Sequence, residues 1–178
     1  MKRKTAKEII AESFREIAAN KSADKITIKD IVNNCDYSSA TFYRNFKDKY
    51  DLMAWDYAVH MKEIISRRYE WRKTFFDCAK YFWDNREYLK NLFQHTSGHE
   101  SFVRYIAVTN IEILGKEIMR NTGKDELDKD IKILIHIYCY GIVETVCEWI
   151  LGWIKASPDD MGRIFEASLP DALRKYLC

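Results

Sequence analysis

The sequence contains few residues that break helices or form tight turns. Its 178 residues include six Gly and two Pro, which disfavours sandwiches and barrels because those folds need many tight turns. It also has no long apolar run. The most apolar stretch, residues 133–143, ends after 11 residues at Glu144, whereas a membrane span needs about 20. We therefore predict an all-α protein that has no membrane span and buries this stretch.

The sequence also has no pattern typical of secretion, catalysis or metal binding. Its five Cys are odd in number and form no C-x-x-C pair, and the N-terminus is a charged amphipathic segment rather than a signal peptide. We therefore expect a cytoplasmic protein with reduced thiols. No Gly-rich phosphate loop, nucleophile elbow or zinc-type His-Glu pattern is found, so we predict neither an enzyme nor a cofactor. His95 and His99 have metal-ligand spacing, but the intervening Thr-Ser-Gly predicts a loop, so no metal site is expected.

Charge divides the chain into a basic head and a mildly acidic body. Residues 1–50 carry 11 Lys/Arg and 7 Asp/Glu, while the remainder carries 18 and 20. A basic end suits a polyanion, because neutralisation of phosphates supplies much of the affinity for nucleic acid. The head is therefore the candidate DNA-binding part.

Three capping patterns divide the head into short helices. Thr5 with Glu8 and Thr27 with Asp30 have capping-box spacing, and Ser38 is a good N-cap. We predict helices over 5–20, 27–34 and 38–46.

Longer amphipathic segments follow the head. A helix opened by Asp48 is predicted to run to about Trp71, and Pro170 is predicted to kink the last helix or to split off a short one. About nine helices are expected in total. The remaining segments are predicted over 73–84, 86–95, 99–121, 127–155 and 158–176.

Two short capped helices joined by about three residues are the sequence form of a helix-turn-helix. The run from Thr27 to Leu52, with its Phe-Tyr-x-x-Phe-Lys-x-Lys block at 42–49, resembles the signature of the TetR/AcrR family of bacterial regulators. Asp36 stands where this family commonly has Gly, and Asp tolerates the left-handed conformation that such a turn requires.

The resemblance implies that the second helix of the motif enters the major groove. Ser39, Ala40 and Thr41 would face the bases, with Ala40 against a thymine methyl, and Arg44 would reach guanine or phosphate. The alternative is that the aromatic residues are core and the Lys residues a solvated face; for Phe42 and Phe46 we expect core positions. The full predicted DNA-binding set is Thr27, Lys29, Ser38, Ser39, Ala40, Thr41, Tyr43, Arg44, Asn45, Lys47 and Lys49.

The body carries more apolar surface than one chain can cover. Segment 127–155 is apolar on almost every side, and in the resembled family the two final helices pair with their symmetry mates. We therefore predict a homodimer through the last two long helices, whose two recognition helices, about 34 Å apart, read a palindromic operator of double-stranded DNA. The expected domains are a helix-turn-helix domain over 1–48 and a dimerisation and ligand domain over 49–178.

The resemblance further implies a small apolar or aromatic ligand that enters the body and releases the DNA. On family habit we favour a repressor; a transcriptional activator, or a helical interaction module without ligand control, are the alternatives. Aromatic residues at helical spacing are also common in an ordinary core. The candidate pocket residues are Trp55, His60, Met61, Trp71, Phe75, Tyr81, Phe82, Phe93, Phe102, Tyr105 and Tyr138.

Overall fold

The structure is a computed structural model that describes residues 3–67, 70–97 and 101–177. The described residues form ten α-helices and one 3-10 turn without any strand, which confirms the all-α prediction. The predicted break at Gly98 and the residue His99 lie outside them. The elements are α1 (Ala6–Ala18), the 3-10 turn (Ala23–Lys25), α2 (Ile28–Asn34), α3 (Ser39–Asn45), α4 (Lys49–Ser66), α5 (Trp71–Asp84), α6 (Arg86–Gln94), α7 (Phe102–Thr122), α8 (Lys129–Ile150), α9 (Pro158–Ala167) and α10 (Asp171–Leu177).

The head is held by the predicted caps. Thr5 and Thr27 both form complete capping boxes, and the Ser38 hydroxyl accepts from the Thr41 amide at 3.1 Å. Asp36 has a φ of 56°, so it takes the left-handed conformation predicted for the turn between α2 and α3. A fully buried core that includes Phe14 joins the three helices.

Helix α4 connects the head to the body. The Asp48 carboxylate caps it by accepting from the amides of Tyr50 and Asp51 at 2.9 and 2.8 Å. The helix ends at Ser66, earlier than predicted. Trp71 instead begins α5, because Glu70 before it has an extended backbone with a ψ of 142°.

Helix α8 ends at Ile150 rather than at the predicted residue 155. Gly152 has a φ of 85° and donates to the Trp149 carbonyl at 3.0 Å, while the Trp153 amide donates to the Glu148 carbonyl at 2.9 Å. These two bonds form a Schellman motif, which stops a helix by satisfying its last carbonyls. Gly152 is therefore a helix terminator that the apolar pattern alone did not indicate.

The chain after Ser157 forms two short helices instead of one long one. Pro170 separates α9 from α10, which confirms the predicted split into two helices rather than the predicted kink. Met161 and Phe165 of α9 are buried within the chain, and α9 packs closely on α5. Only α8 of the two long helices predicted to form the dimer is a single long helix, and the dimer pairing itself stays a prediction.

Helix α8 is long and apolar enough, by length and composition alone, to cross a bilayer. Its most apolar 18-residue window is 39% buried in the fold, with Ile135, Cys139 and Val143 on the inner side. The core helix of a soluble protein passes the same test, and α8 packs along α7. We therefore interpret its other, exposed apolar side as a contact surface.

Candidate functional site

Helix α3 presents one face to the core and the other to solvent. Phe42 is fully buried, whereas the Tyr43 side chain beside it is 60% exposed. Ser39, Ala40 and Arg44 are exposed as well. The inward aromatic residue fixes the helix on the head, and the outward face is left available for a partner.

Several polar side chains of α3 already make local hydrogen bonds. The Ser38 and Thr41 hydroxyls lie 3.0 Å apart, and the Asn45 side-chain amide donates to the Thr41 carbonyl at 2.8 Å. The Arg44 Nε donates to the Ala40 carbonyl at 3.3 Å, which leaves the two terminal guanidinium nitrogens without a hydrogen bond among the described residues. Ser39, Ala40, Tyr43 and Arg44 are thus the members of the predicted set best placed to reach a base edge.

The start of α2 differs from the phosphate site expected there. Thr27 and Lys29 are exposed, but the Asp30 carboxylate accepts from both the amide and the hydroxyl of Thr27 at 2.8 Å. The Lys21 ammonium, 2.7 Å from this carboxylate, and Thr27 lower the pKa of Asp30. The Asp30 carboxylate therefore adds a negative charge beside the expected phosphate site, while Lys29 faces outward with a positive charge.

The two lysines after α3 have different surroundings. Lys47 is exposed, and its backbone amide donates to the Asp51 carboxylate at 2.9 Å. The Lys49 ammonium instead donates to the carbonyls of Ala23, Asp24 and Ile26 at 2.8, 2.8 and 3.1 Å. Lys49 therefore ties the 3-10 turn to α4 rather than extending toward a DNA backbone.

A buried ion pair joins the head to the body. The Arg15 Nε of α1 donates to both carboxylate oxygens of Asp56 in α4 at 3.1 and 2.9 Å, and the Tyr88 hydroxyl of α6 donates to the same carboxylate at 3.2 Å. Arg15 also donates to Asn85 and lies 4.5 Å from the centre of the Tyr88 ring. Burial alone would lower the pKa of Arg15, but the adjacent Asp56 reverses this and the pKa rises.

Asn91 of α6 makes a second head–body connection. Its side-chain carbonyl accepts from the Ala23 amide at 2.9 Å, and its amide group donates to the carbonyls of Ala18 and Lys21 at 2.7 and 2.9 Å. These bonds satisfy backbone groups at the end of α1 and the start of the 3-10 turn. The position of α6 in the body thereby fixes the orientation of the head.

The body contains a cavity of about 90 Å³ between α4, α5, α7, α8 and α9. Five of the eleven predicted pocket residues line it: Met61, Trp71, Phe75, Phe82 and Tyr138. The Tyr138 hydroxyl donates to the Phe165 carbonyl at 2.8 Å, so this phenol closes one wall.

The other six predicted pocket residues lie outside the cavity lining and make different contacts. The rings of all six have close ring partners. Trp55 lies 5.6 Å from Phe46, Tyr105 lies 6.2 Å from Tyr50, Phe93 lies 5.6 Å from Phe102, and Tyr81 lies 5.3 Å from His60. His60 also has its Nδ1 2.7 Å from the Asp56 carbonyl. These six residues therefore pack against other rings of the fold, which is the alternative given for them in the sequence.

The cavity has polar lining residues that the aromatic pattern did not indicate. The buried Tyr57 hydroxyl donates to the Asn110 side-chain oxygen at 2.8 Å, and burial raises the pKa of Tyr57. Thr74, Cys78 and Cys139 also face the cavity. Burial raises the pKa of both thiols to about 12, so both are neutral at pH 7. Asn110 within the apolar pattern of α7 was the signal in the sequence that could have drawn attention to this wall.

A larger open cleft adjoins the cavity. It has a volume of about 820 Å³ and shares Ile65, Trp71 and Thr74 with the cavity lining. Two ion pairs, Arg72 with Glu166 and Arg120 with Glu117, lie at its rim. The cavity and the cleft therefore meet at these three shared residues.

No group of three or more His, Cys, Asp or Glu side chains within the described ranges is arranged to hold a metal ion. The carboxylates described above pair with cations or caps instead.

Comparisons with known proteins agree with this architecture. Residues 69–171, more than half of the chain, match a TetR family model described as "Transcriptional regulator C-terminal region". A solved structure, the dihydroxyacetone kinase operon activator DhaS, is similar over 97% of this chain and 98% of that chain, with a TM-score of 0.63 and 17% identity. At that identity the likeness shows a shared fold only. No curated protein matches the sequence. The chain belongs to the TetR family of transcriptional regulators.

Proposed function

We propose that this protein is a DNA-binding transcriptional regulator that inserts α3 into the major groove. The observation that carries the proposal is the outward face of α3, where Ser39, Ala40, Tyr43 and Arg44 are exposed on a helix anchored by buried Phe42. Short or planar side chains on the N-terminal half of such a helix reach base edges. Lys29 and Lys47 are exposed beside it and suit phosphate contacts.

The protein acts as a homodimer through the exposed side of α8. Ile133, Ile137 and Tyr140 are 48%, 65% and 37% exposed, and their spacing of four and three residues places them on one helical face. Such a stripe on a helix that otherwise packs inward favours a second copy of the chain as its cover. Two copies would present two α3 helices to successive major grooves of a palindromic site.

The body releases the DNA when a small molecule binds in the cavity. Helix α4 supports this step, because Tyr57 faces the cavity while the adjacent Asp56 pairs with Arg15 of the head. A ligand that moves α4 would therefore move the ion pair as well, and the ligand must bind the released conformation more tightly than the DNA-bound one.

The direction of regulation has two candidates. We propose a repressor, with the head domain ending near Asp48 and the ligand domain beginning at α4. The second candidate is an activator, which the similarity to DhaS, an operon activator, favours. Deleting the gene would raise transcription from the target promoter under the first proposal and lower it under the second.

An electrophoretic mobility assay with DNA from the protein's own promoter region tests the DNA-binding proposal. Arg44→Ala should weaken binding about 5- to 100-fold, because one good base contact contributes about 1–3 kcal/mol. Arg163→Ala is the matched control, since it removes an exposed arginine from α9 of the body and should leave affinity unchanged. The proposal is wrong if the wild-type protein shows no salt-dependent binding, or if both variants behave alike.

A further inference from the structure

The size of the cavity limits what can enter it. A cavity of about 150 Å³ accommodates benzene, which has six heavy atoms, so each heavy atom needs about 25 Å³. The cavity here has about 90 Å³ and therefore holds about four heavy atoms. A multi-ring compound cannot lie wholly within the cavity unless the surrounding helices separate.

The lining of the cavity also limits the charge of its occupant. None of the described side chains that line the cavity carries a charge at neutral pH. Burial keeps the thiols of Cys78 and Cys139 protonated, and the other lining side chains are apolar or carry a hydroxyl or amide group. An ion transferred into such a site would lose its hydration without gaining a countercharge. Ammonium, carboxylate and phosphate groups are therefore disfavoured.

Two polar side chains in the lining have hydrogen-bonding capacity that the protein does not use. Thr74 is only 5% exposed, yet its hydroxyl makes no hydrogen bond within the described part of the chain. Every fully buried polar side-chain atom of the described residues has a hydrogen-bond partner. Because the Thr74 hydroxyl has none, it is not fully buried, and it faces the open space where the cavity and the cleft join. Asn110 accepts from Tyr57 through its oxygen, which leaves its amide group as a donor.

We infer that the regulatory ligand is a small neutral molecule of about four heavy atoms that carries a carbonyl or hydroxyl oxygen. Its apolar part fills the space beside Met61 and Phe82, and its oxygen accepts a hydrogen bond from Thr74 or Asn110. The regulatory role rests on the proposed function, whereas the binding itself does not. Hydrogen-bond donors that would otherwise lack partners discriminate strongly between an oxygen-bearing ligand and a hydrocarbon.

Titration of the full-length protein with acetone, followed by NMR of the Met61 methyl group, tests the inference. We expect a saturable shift of this signal with acetone, which has four heavy atoms and no charge. Acetate and n-propylammonium, which also have four heavy atoms but carry a charge, should produce none at the same concentration. Equal shifts with either ion, or no saturable shift with acetone up to 50 mM, would overturn the inference.

Two variants locate the bound molecule. Thr74→Val keeps the side-chain shape but removes the hydroxyl, and should weaken acetone binding about 5- to 10-fold. Thr122→Val is the control, because this hydroxyl donates to the Ile118 carbonyl at 2.8 Å outside the cavity, and it should bind as the wild type does. Cys139→Leu fills the cavity and should abolish the shift. Unchanged binding by either Thr74→Val or Cys139→Leu would contradict the assignment.

Operator binding, measured with and without acetone, separates this inference from the proposed function. A Met61 shift without any change in DNA affinity would leave the binding site in place and refute ligand control. Loss of DNA binding in the absence of ligand would refute the regulator proposal alone, because the titration uses free protein.

Discussion

The ion pair between Arg15 and Asp56 provides a quantitative test of how the head is fixed to the body. Asp56 is 5% exposed and accepts from Arg15 Nε at 2.9 Å and from the Tyr88 hydroxyl at 3.2 Å, with Arg15 Nη2 at 2.8 Å. Breaking a buried pair by removing one partner costs about 3–5 kcal/mol. Because the Arg15 side chain stays 23% exposed and asparagine retains one acceptor, we expect Asp56→Asn to lower the free energy of unfolding by about 2–3 kcal/mol.

Urea unfolding followed by circular dichroism measures this change, with Glu12→Gln as the control. Glu12 pairs with Lys4, and both side chains are about half exposed, so their pair contributes at most about 1 kcal/mol. A double variant with Arg15→Met should lose less than the sum of the two single losses, because the two residues contact each other. The reasoning is refuted if Asp56→Asn is no more destabilising than Glu12→Gln, or if the losses simply add.

Three further predictions concern packing, assembly and pH. Gly162→Ala should lower the free energy of unfolding by about 1–3 kcal/mol, because its added Cβ would lie 2.9 Å from the Phe76 Cα. Gly115→Ala should lose less stability in the same urea experiment, because its Cβ would be 3.3 Å from the flexible end of a side chain. Ile137→Glu should convert the dimer to a monomer in sedimentation velocity, because it places a charge in the exposed stripe of α8. Hydrogen bonds hold the pKa of Asp30 below its ordinary value of 3.8. The stability that the ionised carboxylate contributes is therefore present above about pH 4 and is lost as the pH falls. The gap in Tm between wild type and Asp30→Asn should accordingly narrow from pH 6 to pH 2.

Each of these predictions has an opposing result. Equal losses for the two glycine variants would mean that α9 moves away from α5 without penalty. A dimer that persists in Ile137→Glu, or one that is lost equally in Val59→Glu on α4, would place the interface elsewhere. A Tm gap for Asp30→Asn that stays constant with pH would show that the carboxylate charge does not stabilise the start of α2.

The local features of the head were predictable because their signals lie within a few residues. Thr27 and Asp30 are three residues apart, and the capping box needs nothing else from the chain. The same holds for Ser38 before α3. Asp36 was expected in a left-handed turn because it stands where the resembled family commonly has Gly, and its φ of 56° confirms this.

The features that depend on distant residues were not predictable from local patterns. Arg15 and Asp56 are 41 residues apart, and each alone reads as an ordinary charged residue on an amphipathic helix. Gly152 lies in an apolar run that continues the periodicity of α8, and only its positive φ distinguishes a terminator from a tolerated helical glycine.

The lining of the cavity in the body was predicted only in part for the same reason. Counting aromatic residues found Trp71 and Phe75, which do line it, but also Trp55, which packs against Phe46. The polar side chains Thr74 and Asn110 lie on different helices, α5 and α7, and their common wall exists only in the folded chain.

The most direct test of the central claim is selection of bound DNA from a random pool by the purified wild-type protein. The account predicts an enriched consensus with two inverted half-sites about one helical turn apart, because two outward α3 helices related by a two-fold axis read successive major grooves. Loss of that enrichment in Arg44→Ala would assign it to α3. A pool that shows no enrichment at all, or a single half-site without symmetry, would contradict the account.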